Sequence, residues 1–83
     1  MLQQRLAELS GYLYRDRFHL LNTLTMAADD CGYRLGTVDM GTEDSGRRRV
    51  NVYGWPMIPA DTTIMIEWTT TEYGNLEANF ILS

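Results

Sequence analysis

The stretch LQQRLAELSGYLYRDRFHLLNTLTMAADDCG, residues 2–32, decides the fold. Leu2, Leu6, Leu9, Leu13, Leu20, Leu24, Ala27 and Cys31 recur at spacings of three and four, interrupted only at Asp16, and Tyr14, Phe18, Leu21 and Ala28 widen the stripe. That period is the signature of an amphipathic helix. Gly32 follows the last periodic residue, where a left-handed C-terminal cap belongs. The start of the helix has two readings. Either Ser10-Gly11 breaks it into a short and a longer helix, with Ser10 as an N-cap, or Gly11 lies inside one continuous helix at a cost of about 1 kcal/mol relative to Ala. A continuous helix of some 30 residues would be about 45 Å long against roughly 23 Å for a seven-residue strand, and the excess would need a partner to cover it.

Beyond Gly32 the apolar pattern changes to short alternating runs: Tyr33 to Met40, Arg48 to Tyr53, Thr62 to Thr70 and Leu76 to Leu82. Turn chemistry separates them, at Gly41 to Gly46, Gly54 to Pro59 and Thr71 to Asn75. Four strands joined by short connections predict an antiparallel meander. Matching apolar faces places Val50 opposite Ile66, Val52 opposite Ile64 and Arg49 opposite Glu67. On the last hairpin it pairs Trp68 with Ala78 and Ile66 with Phe80. With a helix over about residues 12–31 on the inner face, the expectation is one α+β domain over residues 1–83, helical to residue 32 and sheet from residue 33.

Composition bounds the function. With 45% apolar residues the chain is globular, and a domain of 83 residues buries only about 60 to 65% of its unfolded surface, so its core is small. Apolar runs stop well short of the roughly 20 residues that span a bilayer, and the lone Cys31 excludes an internal disulfide framework. A soluble protein of the cytoplasm, or of the host cytoplasm for a viral protein, is expected. A net charge of −4 with no lysine argues against a general polyanion binder.

Catalytic hardware is sparse. His19 is the sole imidazole, and the side chains at helical spacing from it, Arg15 and Thr23, complete no triad. Cys31 at a helix C-terminus faces the negative end of the dipole, which disfavours a thiolate and suits an inert core cysteine. Two Cys or His ligands do not make a structural zinc site, the segment Asp39 to Gly46 lacks the spacing of a calcium loop, and no Gly-rich turn leads into a helix to hold a phosphate. No enzyme, metal or cofactor is expected.

Binding remains. Arg47-Arg48-Arg49 could meet a phosphate backbone, but strand alternation points Arg48 toward Trp68 and pairs Arg49 with Glu67, leaving one free cation, so direct nucleic-acid binding is a minor reading. Tyr53, Trp55 and Met57 supply candidate anchors, and Asp39, Glu43, Asp44, Glu67 and Glu77 candidate acids that steer toward a basic surface. The expected function is a small acidic inhibitor or modulator that docks on a larger protein or protein–nucleic acid complex, of the kind phages direct against host defences. The alternative is a self-associating adaptor, a homodimer whose seam is Leu2, Leu6, Leu9 and Leu13.

Overall fold

A computed structural model describes residues 1–54, 56 and 58–83 and is α+β: two helices on one face of a five-stranded antiparallel sheet. In chain order the elements are α1 (Leu2–Leu9), β1 (Leu13–Tyr14), α2 (Arg17–Asp30), β2 (Tyr33–Leu35), β3 (Ser45–Gly54), β4 (Ile58–Thr70) and β5 (Leu76–Leu82). The sheet order is β1-β5-β4-β3-β2. The 13 residues of β4, at about 3.3 Å each, account for the 40 Å long axis of the molecule.

The helical stretch is broken, and the break holds a strand. α1 ends at Ser10, which is extended (φ −74°, ψ 144°), and Gly11 at φ +85° reverses the chain. Gly is suited to that left-handed position because it has no Cβ to clash. Leu13 and Tyr14 then pair with Glu77 and Leu76 as a fifth strand, so the region expected to be helical from residue 12 becomes helical only at Arg17. Ser10 does not N-cap the second helix. Asp16 does, its Oδ1 accepting the His19 N–H at 2.8 Å; the one polar interruption of the stripe is therefore the cap itself. Gly32 (φ +85°) closes α2 as expected, donating to the Asp29 carbonyl.

The second corrected element is the run Tyr33 to Met40, of which only Tyr33–Leu35 is strand. After Gly36 the chain leaves the sheet, and Met40 is buried in the core. The strand expected from Arg48 begins at Ser45, and the one expected from Thr62 begins at Ile58. Register between β3 and β4 is two residues from the expected one: Val50 lies opposite Ile64, Arg48 opposite Ile66, Arg47 opposite Glu67 and Gly46 opposite Trp68. A two-residue slip keeps every side chain on its face, so alternation cannot detect it. Trp68 fixes the register instead. Its ring lies against Gly46 and its Nε1 donates to the Glu43 carbonyl at 3.3 Å. The β4–β5 pairing, Trp68 with Ala78 and Ile66 with Phe80, is the expected one.

Alternation sorts the strands into two faces. Val50, Val52, Ile64, Ile66, Trp68, Leu76, Ala78 and Phe80 form the inner face, and Leu2, Leu6, Leu20 and Leu24 of the helices complete the core over it. A bulge between Asn51 and Tyr53 sets residues 60–62 opposite Val52, with Asp61 at φ +48°. The outer face carries Arg47, Arg49 and Asn51 of β3, Thr63, Met65, Glu67 and Thr69 of β4, and Glu77, Asn79 and Ile81 of β5.

Candidate interaction surface

The expected leucine seam is used up inside the fold. Leu2 and Leu6 are buried and Leu9 packs against the core, while Leu13 has moved to β1 and points to the opposite face of the sheet. Tertiary packing against β5 satisfies the stripe that the sequence offered to a second copy.

The expected acids do not form one face either. Glu67 and Glu77 lie on the outer sheet face, and Glu67 is paired with Arg47 at 2.7 Å. Asp39, Glu43 and Asp44 lie in the β2–β3 connection. Asp39 accepts from the Gly41 N–H, Glu43 receives the Arg48 guanidinium through both carboxylate oxygens at 3.1 and 3.0 Å, and the Asp44 carbonyl accepts from the Thr70 N–H. Arg48 also lies over Trp68, 5.5 Å from the ring centroid, as alternation predicts. Arg47, in place of Arg49, partners Glu67 because of the two-residue difference in register. Tyr53 is half-buried opposite Arg34, and Trp55 and Met57 lie outside the described residues.

Four of the exposed large apolar side chains stand on β1, just before it, or on the elements that adjoin it, while Met1, Met26, Ile58 and Ile81 are exposed elsewhere. Tyr12 is 62% exposed, Leu13 57%, Phe18 on the first turn of α2 87%, and Tyr73 in the β4–β5 turn 84%. Tyr14 and Leu76 pair directly, so the turn carrying Tyr73 lies at the end of the sheet where the chain passes from β1 into α2. The turn is built to hold its shape: the Thr71 hydroxyl accepts from the N–H groups of Tyr73 and Asn75, and Gly74 takes φ +87°. The β2–β3 connection reaches the same end, its Glu43 carbonyl accepting from the Arg17 guanidinium at 2.6 Å. Glu8, Arg15, Asp16, Glu72 and Glu77 stand exposed along the same segments.

Beside these segments, α1, β1 and α2 enclose an open groove of about 420 Å³, lined by Arg5, Glu8, Tyr12, Leu13, Tyr14 and His19 among others. Arg5 reaches Asp30 at 3.3 Å across the two helices. His19 is oriented by backbone rather than by an acid: its Nδ1 accepts the Arg15 N–H at 3.0 Å, and its ring meets Tyr14 edge-on at 5.4 Å. The Thr23 hydroxyl donates to the His19 carbonyl, not to the imidazole. Burial, and secondarily neighbouring Tyr12, raises the Tyr14 phenol above its ordinary value, and its hydroxyl donates to the Leu9 carbonyl at 2.7 Å. Cys31 is a half-buried free thiol packed against the core, and among the described residues no three His, Cys, Asp or Glu side chains converge to hold a metal.

The signal that sequence reading missed was Asp16. A cap there frees Leu13 and Tyr14 to become an edge strand and leaves Phe18 exposed at the first turn of the helix. Among the described residues no helix is long and apolar enough to cross a membrane. Comparison with known proteins finds no family model, no curated protein and no solved structure that matches this chain.

Proposed function

We propose that this chain is a non-catalytic protein-binding module that docks on a larger macromolecular complex through the apolar patch around β1. The observation that carries the reading is the exposure by more than half of Tyr12 just before β1, Leu13 on it, Phe18 on the first turn of α2 and Tyr73 in the β4–β5 turn. Leaving a Phe or Tyr in water forgoes about 2 kcal/mol of burial, and exposed aromatics ringed by polar groups are the composition of binding hot spots. Glu8, Asp16, Glu72 and Glu77 outnumber Arg15 on the rim, and that excess of negative charge steers toward a basic surface and makes association salt-dependent. In its specific form the module is an inhibitor or modulator of a nucleic-acid-handling complex, as small acidic phage proteins are of host defences; size and charge support that form.

The test is capture of partners from the native host on the tagged wild-type chain and on a Phe18→Ala, Tyr73→Ala double variant, with nuclease and over a salt series. Both side chains are exposed, so thermal unfolding of the variant should match wild type. The expected result is a nuclease-resistant protein partner whose affinity falls with salt and drops about 30-fold or more in the variant. A partner held equally well by both proteins would overturn the assignment to this patch.

A further inference from the structure

The two edges of the sheet are finished differently. On the β1 side, the Gly11 N–H donates to the Ala78 carbonyl at 2.9 Å and the Ser10 hydroxyl accepts the Phe80 N–H at 3.0 Å, so the end of α1 plugs the edge of β5 where β1 stops. On the other side, β2 covers only Val52 to Gly54, and one more bond, Gly36 N–H to the Asn51 carbonyl at 2.8 Å, ends the ladder. From there toward Ser45, β3 has no neighbouring strand on that side among the described residues.

Main-chain groups of alternate residues face opposite sides of a strand. Asn51 turns its carbonyl to β2 and Asp44 turns its carbonyl to Thr70 of β4. Ser45, Arg47 and Arg49 therefore turn their N–H and C=O groups to the open side. The Arg47 carbonyl is occupied by its neighbour's guanidinium, Arg48 Nη1, at 3.0 Å. The Arg47 N–H and both main-chain groups of Arg49 have no hydrogen-bond partner among the described residues. The connection after Gly36 contributes none; its Asp39 carbonyl is taken by Arg48 Nε and its Met40 is buried in the core.

The charges beside this opening are divided between its two sides: Asp39, Glu43 and Asp44 lie in the β2–β3 connection, and arginines stand on the outer face. Arg47 and Arg48 are paired with Glu67 and Glu43, whereas Arg49 and Arg34, both exposed and both on the outer face, have no carboxylate within salt-bridge distance among the described residues. We infer that the open side of β3 from Ser45 to Arg49 is a strand-addition site for an extended acidic segment of a partner protein. Such a segment takes the unpaired N–H and C=O groups as its ladder and sets carboxylates against Arg49 and Arg34. Charged residues on an edge commonly serve to prevent edge-to-edge pairing. Here they do so selectively: a second copy of this chain would bring its own unpaired Arg49 to the same edge and be repelled, while a segment bearing carboxylates is attracted. Five residues at about 3.4 Å accommodate roughly 17 Å of added strand. The site lies at the opposite edge from the β1 patch and does not depend on it.

The experiment is amide-resolved NMR of the full chain titrated with a synthetic heptapeptide alternating glutamate and valine. A heptapeptide alternating lysine and valine and a single-stranded thymidine oligonucleotide serve as competing probes. The expected result is that the glutamate peptide slows exchange of the Arg47 and Arg49 amides about tenfold or more at saturation, that rising salt weakens it, and that Arg49→Glu, a change at an exposed side chain, reduces the affinity. Absence of slowed amides up to millimolar peptide, or an equal response to the lysine peptide, overturns the proposal. An oligonucleotide that binds the same residues more tightly than the peptide does would overturn it in favour of a nucleic-acid site.

Discussion

Tyr14 and Asp16, two residues apart, hold the turn between the layers. Tyr14 is 3% exposed, its ring meets His19 and Phe80 edge-on, and its hydroxyl satisfies the Leu9 carbonyl at the end of α1. Because the folded state raises the phenol's pKa above its ordinary value of 10.0, Tyr14 contributes stability that is complete below about pH 10 and is lost as pH rises through the higher folded-state value. Tyr14→Phe should cost about 1 kcal/mol near neutral pH through the lost hydrogen bond. The gap between wild type and variant should narrow above pH 10, since phenylalanine has no proton to lose; denaturant unfolding of both proteins between pH 7 and 11 measures this, and a constant gap would contradict it. Asp16 was legible in the sequence as an interruption of the apolar stripe but not as a cap, because its meaning depends on Leu13 and Tyr14 pairing with β5, and pairing partners are not written locally.

At the scale of elements, β3 and β4 show what alternation can and cannot fix. The inner faces were legible because Val50, Val52, Ile64, Ile66 and Trp68 repeat at period two. The register was not, since both alignments bury the same residues. Close contact decides it: a Cβ on Gly46 would lie 3.1 and 3.2 Å from two ring carbons of Trp68. Gly46→Ala should therefore displace the indole and cost about 1–3 kcal/mol, although most alanines for glycine in a strand stabilise it. The measurement is the unfolding midpoint together with the indole N–H resonance of Trp68, which should shift as its bond to the Glu43 carbonyl stretches. An unchanged midpoint would mean that the ring is free to move. The same register leaves Arg49 without Glu67 and so creates the charged edge of β3.

On the scale of the whole molecule, a domain of 83 residues has roughly 4–12 kcal/mol of stability to lose. Leu6 is 1% exposed under α1. Leu6→Ala should take away about 2–5 kcal/mol, a large share of the total, and should lower thermal stability to an extent independent of protein concentration, because the side chain serves its own chain's core. A loss that disappears at high protein concentration would restore the leucine seam between copies. The sequence by itself determined the class, the two periodicities, the cap at Gly32, the inner-face residues, the last hairpin and the approach of Arg48 to Trp68. All of these rest on local propensity or on facing, which a linear pattern carries. Tertiary structure alone decided that Leu13 and Tyr14 form a strand, that Leu2 and Leu6 turn inward, that β3 is aligned by Gly46, and that the exposed aromatics gather beside β1. The physical reason is common to all four: each depends on contacts between residues far apart in the chain, made only when the helices and hairpins close over one small core.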